Sequence, residues 1–299
     1  MPLSNPTHIG ASVGPTAGAA PGRAVHLLDE LVRYTDLAEI SSTFHAPLKP
    51  EIASLYARKA APNPDFLFTA VLGRRFTQDR DQDPAAISAW KAGLFPLLRA
   101  RRLGALILRF PWAFRFTAEN REFLIQLRRH FREFPLAAEF RHESWLSDEA
   151  RGTLIDYRLT FVNVDQPEYF RAMPPSAVLT SGLAVVRLQG RHSAEAHRDF
   201  AEQRNPRPYL YPLEILEQWL PRVHRLAAHA SRTLVIAANP GPDHALVTAL
   251  QLREMAGQRP LLAPAPLIRR FPAELASFRA NRPVQTTFLR EDLPARAVA

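Results

Sequence analysis

Residues 136–145 read LAAEFRHESW, an apolar run that passes directly into a cluster of charged and aromatic side chains. This is the pattern of a short buried strand ending at a polar surface. Alternate strand residues face opposite sides, so Glu139 and Arg141 share one face while Ala138, Phe140 and His142 take the other. A carboxylate and a guanidinium are costly to bury unless they pair or meet a ligand. The stretch alone leaves two readings open: a structural ion pair closing a sheet edge, or part of a site.

Comparable apolar segments recur on both sides of it. They are HIGAS (8–12), LAEISSTF (37–44), FLFTAVL (66–72), GALILRF (104–110), LTFVNVD (159–165), LAVVRLQG (183–190) and TLVIAAN (233–239). Helical patterns fill most of the gaps. In 23–34, Ala24, Leu27, Leu28, Leu31 and Val32 fall at helical spacing. Pro50 starts a helix over 50–60. Further helices follow at 84–101 and at 118–132, the latter capped by Thr117. Ser147 and Asp148 open another, to 157. Pro212 begins one through 229, in which Pro221 is expected to produce a kink. GPDHALVTALQLREM is the last strong helix, with Gly257 as its C-terminal cap. A Pro-rich loop (166–182) and a polar loop (191–211) interrupt the alternation.

Strands alternating with helices imply a parallel sheet. Eight such units in roughly 250 residues match a single-domain, TIM-like (β/α)8 barrel of the α/β class. A doubly wound open sheet is the alternative, weakened because no GxGxxG follows the first strand. The expected organisation is a flexible segment over 1–22 holding the first strand at 8–12, a barrel over 23–257, and a Pro/Arg-rich extension over 258–299.

Composition narrows the function classes. Of 299 residues 46% are hydrophobic, which suits a globular core. Lys and Arg total 38 against 29 Asp and Glu, a formal charge of +9, and Lys occurs only at 49, 59 and 91. An Arg-rich surface is compatible with anionic ligands or nucleic acid, although no Lys/Arg run of the kind found in nucleic-acid-binding tails is present. There is no cysteine, which excludes disulfides, thiolate nucleophiles and Cys-based zinc sites. The opening MPLSNPTHIG has no signal-peptide pattern, and no apolar run approaches a membrane span. The expectation is a soluble cytoplasmic protein with no membrane partner.

In such barrels ligands bind at the C-terminal ends of the strands. Polar residues collect there: Glu39 with Ser41 and Thr43, Arg74 and Arg75, Arg109, Glu139 and Arg141 with Trp145 beyond, Asn163 and Asp165, Arg187 and Gln189 with Arg191, and Asn239. Each has a plainer role available. Glu39 and Glu139 can balance Arg141 and Arg187, Arg109 can face outward against a helix, and Trp145 can be a packing residue. So many equipped strand ends nevertheless point to a polar pocket.

EFRHESW is also a recognisable motif. It occurs here in order with LAEISSTFHAPLKP, DFLFTAVLGRRFTQ, LGALILRFPWAFRF, VVRLQGR, PYLYPLEILEQW and TLVIAANPGPDHALVTALQLRE, over residues 30–257. This series resembles the YecE-like family, domain of unknown function 72. The resemblance implies a TIM-like barrel, in agreement with the strand count, and supplies no activity. A nuclease-like role is an analogy of fold alone. The family's Gly-x-Ser-Gly-Trp-like opening is HIGASVGP here, without the Trp. The Lys typical of its third strand is Val71 or a neighbour, and its Arg-Leu-His-Gly is Arg187-Leu188-Gln189-Gly190. The chain resembles a divergent member in which Glu39, Glu139, Arg141, Arg187 and Asn239 persist.

Three functions compete. In the first, Arg141, Arg187 and Arg74 clamp a small anionic, phosphorylated ligand while Glu139 or Glu39 acts as general acid or base in its hydrolysis or isomerisation. Arg187, Gln189, Arg191, Asn239, Trp145, Asp165 and Arg74 form the expected ligand-binding set, with Glu139, Arg141 and Glu39 at the catalytic positions. In the second, a metal-dependent hydrolase or nuclease uses Glu39, Glu139, Asp165 and a His. No HxH or HExxH spacing is present, so no cofactor is expected and a divalent metal is not favoured. In the third, the barrel binds a small ligand or nucleic acid without catalysis. No Ser-His-Asp arrangement can be built, since GxSxG is absent.

Overall fold

Short runs of Val, Ile, Leu, Ala and Phe form eight parallel strands. In the computed structural model, which describes residues 5–13, 23–191 and 207–281, they close into a barrel in sequence order. The strands are β1 (Thr7–Val13), β2 (Leu37–Ile40), β3 (Leu67–Val71), β4 (Leu103–Arg109), β5 (Leu136–Glu139), β6 (Thr160–Asp165), β7 (Leu183–Leu188) and β8 (Arg232–Ala237). β1 pairs with both β2 and β8, which closes the ring. The doubly wound alternative is thereby excluded. The calls on residues 14–22, 192–206 and 282–299 lie outside the described residues.

Helices cover the outside. They are α1 (Arg23–Tyr34), α2 (Pro50–Lys59), α3 (Arg74–Thr77), α4 (Pro84–Arg99), α5 (Ala118–His130), α6 (Asp148–Asp156), α7 (Leu213–His229) and α8 (His244–Met255). Their ends follow local chemistry. The Asp83 carboxylate accepts from the backbone N–H groups of Ala85 and Ala86, and Thr117 and Ser147 cap α5 and α6 in the same way. α7 is continuous through Pro221. Beyond α8 the chain does not fray within the described residues. Strand β9 (Leu262–Ala263), helix α9 (Ala265–Arg270) and strand β10 (Arg279–Ala280) follow, and Leu267, Leu275 and Phe278 are buried.

Each strand is buried on two faces. The inner face carries Leu37, Leu67, Ala105, Ile107, Ala137, Val162, Val185, Leu234 and Ile236, a small apolar plug filling the lower barrel. The outer face packs on the helices through a larger set that includes Phe68, Leu106, Leu108, Phe161, Val186 and Val235. Gly10 on β1 permits the close approach of β2, because a Cβ there would lie 1.7 Å from the Leu37 carbonyl oxygen.

Two strands are shorter than their sequence patterns suggest. β2 stops at Ile40, and Ser41–Phe44 turn into a 3-10 helix. Thr43 therefore does not line a strand face. Its hydroxyl donates to the Ile40 carbonyl and accepts from the Val71 N–H, tying β2 to β3. β5 stops at Glu139, and His142 caps the 3-10 turn Glu143–Leu146.

β6 corrects a further expectation. Asn163 and Asp165 are paired with Val186 and Leu188, residues of the outer face, so both point out of the barrel. Asn163 holds the loop after β6 through Ser176 and Val178. Asp165 is fully buried and accepts from Tyr211 Oη at 2.7 Å, Trp219 Nε1 at 2.8 Å and Arg191 Nη2 at 2.8 Å. Asp165→Ala leaves two buried donors and a half-buried guanidinium without their acceptor. Losing one partner of a buried ion pair costs about 3–5 kcal/mol, so Tm is expected to fall by roughly 10 °C. A calorimetric shift near zero would show that this outward network does not hold β6 to α7.

Candidate functional site

Above the apolar plug, the inner face turns polar in one step. Glu39 follows Leu37 on β2, Arg109 follows Ile107 on β4, Glu139 follows Ala137 on β5 and Arg187 follows Val185 on β7. The two-residue strand period puts each polar side chain one layer above its apolar neighbour. Strand register then sets them side by side, with Arg109 opposite Glu139.

Arg187 is the hub. Its Nε and Nη2 donate to the two carboxylate oxygens of Glu39 at 2.8 and 2.9 Å. Its Nη1 donates to Glu139 Oε2 at 3.1 Å. The guanidinium thus spans the barrel and binds one carboxylate bidentately and another by a single bond. The second oxygen of Glu139 lies 3.4 Å from Arg109 Nε and 3.7 Å from Arg141 Nη2. Arg141 Nη2 donates to Gln189 Oε1 at 2.7 Å. The Arg109 guanidinium also sits over the Phe44 ring, 5.0 Å from its centroid.

Among the described residues, the cluster contains three guanidiniums, from Arg109, Arg141 and Arg187, and two carboxylates, from Glu39 and Glu139. Burial pushes the Glu139 carboxyl up, but the Arg187, Arg109 and Arg141 charges outweigh burial and hold it at about 2. Burial and the neighbouring Arg187 charge push Arg109 down to about 10, against the pull of Glu139. For Arg187 burial works in the same downward sense, and Glu39 and Glu139 reverse it, so its pKa is raised. Arg109, Arg187 and Glu139 are therefore charged at neutral pH.

Several polar atoms around this cluster are buried without a hydrogen-bond partner: Arg109 Nε, Gln189 Nε2, Thr69 Oγ1 and Glu139 Oε1. Thr69 stands opposite Glu39 in the strand register. Three of these four atoms can donate. Unmatched buried donors beside a positively charged cluster suit an anion.

The residues expected at the site separate into two groups. Glu39, Glu139, Arg141, Arg187 and Gln189 come together. Arg191, Asp165, Trp145, Asn239 and Arg74 do not join them. Arg191 and Asp165 form the outward network on α7. Trp145 is fully buried beneath the barrel mouth, stacked 3.9 Å from the Phe140 ring, with its Nε1 donating to the Phe114 carbonyl. It is a packing residue because Phe140 points outward and needs a large flat partner. Asn239 donates to the Tyr209 carbonyl and to Thr248 Oγ1, fastening the segment before α7 to α8. Arg74 lies on the exposed helix α3, 3.6 Å from Asp79. Arg109, counted among the polar strand ends but left out of the expected binding set, and Thr69, which the sequence does not single out, lie in this cluster. Parity along GALILRF offers the one available signal for Arg109, since Ala105, Ile107 and Arg109 alternate with larger Leu and Phe residues. Among the described residues, no three His, Asp or Glu side chains gather closely enough to hold a metal ion, and no helix is long and apolar enough to cross a membrane.

The depressed Glu139 carboxyl links the site to stability. Its folded value lies below the ordinary 4.5, so its contribution is present above that pH and is lost as pH falls from 4.5 toward about 2. A shift of this size corresponds to roughly 3 kcal/mol. Glu139→Gln is expected to lower stability at pH 7 by a similar amount and to flatten the acid limb of a stability-against-pH curve. Superimposable acid limbs for the two proteins would contradict this electrostatic account.

Comparison with known proteins agrees with the geometry. The barrel is similar to a DUF72 family protein from Enterococcus faecalis V583, at 19% identity, with a TM-score of 0.72 over 86% of this chain and 100% of that one. It is likewise similar to a DUF72 family protein from Thermotoga maritima MSB8, at 23% identity, with a TM-score of 0.70 over 85% and 100% of the two chains. No curated protein matches the chain. The family described as "Protein of unknown function DUF72" matches residues 20–270, which span all eight strands except the first. With that match over most of its length and the same barrel, the chain belongs to the DUF72, or YecE-like, family.

Proposed function

We propose that the mouth of the barrel binds a small anion, a phosphate or carboxylate group, and that it does so electrostatically, without proton transfer by Glu139. The observation that carries this reading is a pair of buried donors in the charged layer, Arg109 Nε and Thr69 Oγ1, that make no hydrogen bond among the described residues. Buried donors without acceptors are costly, and an anionic partner supplies the acceptors.

The division of labour follows from exposure. Arg187 is 5% exposed and both its neighbours are fully buried, so the Glu39–Arg187–Glu139 bridge is a fixed frame. Arg109 and Arg141 keep 18% and 10% of their side-chain surface. These two guanidiniums are the ones placed to meet a ligand, with the Gln189 amide and the Thr69 hydroxyl as neutral donors. Planar guanidiniums suit bidentate recognition of phosphate and carboxylate oxygens.

Glu139 at about 2 is a poor general acid at neutral pH, because it carries no proton to give, and a weak general base. Its value to the site is the negative charge that keeps three guanidiniums together. Gln189, which cannot titrate, fits the same reading.

A thermal-shift titration with inorganic phosphate tests it. A ligand at 100 times its Kd raises stability by about 2.7 kcal/mol, enough to read as a Tm shift. Arg141→Ala removes a charged donor and is expected to weaken binding by roughly tenfold or more. Absence of any shift with phosphate, sulfate or small carboxylates would refute the anion pocket. An unchanged Kd in Arg141→Ala would remove that residue from it.

A further inference from the structure

Beside the charged cluster, the loops after β4, β5 and β6 bring three aromatic side chains together. The Trp112 ring lies 5.5 Å from the His142 ring and 6.4 Å from the Tyr169 ring, centroid to centroid. This group meets the anion site at Tyr169, whose hydroxyl feels the charges of both Arg141 and Glu139. His142 follows Arg141 in the chain, and Tyr169 Oη lies 3.5 Å from the Arg141 carbonyl oxygen. Gln166 Nε2 donates to the same carbonyl at 3.1 Å, and Met173 N–H donates to it at 2.8 Å, so the loop after β6 is fastened over the strand that carries Arg141.

Three features of this group are not explained by packing. His142 Nε2 and Trp112 Nε1 are buried without hydrogen-bond partners, although His142 is 1% exposed and its Nδ1 is fully used by Ser144. Phe170, next to Tyr169, is 79% exposed. An exposed Arg115 guanidinium lies 5.0 Å from the centroid of the Trp112 ring. The other three indoles, Trp90, Trp145 and Trp219, are all buried in the core, so Trp112 is the tryptophan that keeps access to solvent. A partly open indole, with an exposed guanidinium over it and an exposed phenyl ring nearby, is the composition of a stacking site for a flat ring.

We infer that the ligand is an anion that carries a planar aromatic ring, with its acidic group at Arg109 and Arg141 and its ring stacked at Trp112. A nucleoside monophosphate has this chemistry. The inference rests on the anion pocket proposed above and adds the body of the ligand to it. Arg115, being exposed, can move aside or close over the stacked ring. Phe170 extends the apolar surface at the rim.

Isothermal titration of the full chain with four probes tests this: inorganic phosphate, ribose 5-phosphate, adenosine 5′-monophosphate and adenosine. Stacking of one base is worth roughly a tenfold gain or more in affinity. The expected order places adenosine 5′-monophosphate at least tenfold tighter than both phosphate and ribose 5-phosphate. Trp112→Ala is expected to collapse that ratio toward one, and Trp112→Phe, which keeps a flat ring and guards against misfolding, to preserve most of it. Phosphate binding with no gain from the nucleotide overturns the inference and leaves the anion pocket standing. Ribose 5-phosphate binding as tightly as the nucleotide assigns the contact to a sugar ring and overturns it too. A nucleotide-to-phosphate ratio unchanged in Trp112→Ala also overturns it. Adenosine binding where phosphate does not would instead support the stacking site and refute the anion pocket.

Discussion

Arg187 holds the upper barrel together. One guanidinium reaches across the interior to bind Glu39 on β2 and Glu139 on β5. A barrel of this size has room for layers of side chains inside, and the simplest filling is apolar. The lower layers follow that rule. The top layer breaks it with acidic and basic side chains, which cost several kcal/mol each to bury in charged form unless matched. An apolar layer of the same volume would be at least as stable. The charged layer therefore makes structural sense as the floor of a site, in which Arg187 neutralises the carboxylates and leaves Arg109 and Arg141 oriented at the mouth.

That constraint explains how the neighbouring parts are arranged. Glu139 cannot pair with all the cations around it, so its second oxygen lies at ion-pair distance from two more guanidiniums without a hydrogen bond to either. Burial and charge pull its carboxyl in opposite directions, and charge wins. Gln189 accepts from Arg141 and keeps its amide nitrogen unmatched. The family pattern has a His at this position, which could carry a second positive charge or a proton. Gln supplies neither. The loops after β4, β5 and β6 bring the Trp112, His142 and Tyr169 rings together.

Much of this was legible in the sequence, for identifiable reasons. The eight apolar runs and the helical spacing between them specify a parallel sheet, because each helix returns the chain to the same end, and the count of eight in about 250 residues favours closure into a barrel. Parity within LAAEFRHESW correctly puts Glu139 and Arg141 on one face. Parity fails elsewhere because strands of a parallel barrel are apolar on both faces, so hydrophobic alternation does not say which face is inside. Arg109 and Asp165 illustrate the consequence. Both end apolar strands, yet Arg109 points into the barrel and Asp165 points out to Tyr211 and Trp219. Only the register with neighbouring strands separates them. Trp145 lies beyond the strand, on a 3-10 turn, where strand parity has no bearing. Its place is set by the outward Phe140 and the Phe114 stack.

The central claim is that the guanidiniums and unmatched donors of the buried layer bind an anion. Titration of Gln189→Glu with inorganic phosphate tests this most directly, because the substitution is nearly isosteric and places a competing carboxylate next to Arg141. The account predicts that phosphate binding is lost while the melting temperature holds or rises. Phosphate binding of undiminished affinity in that variant would contradict it.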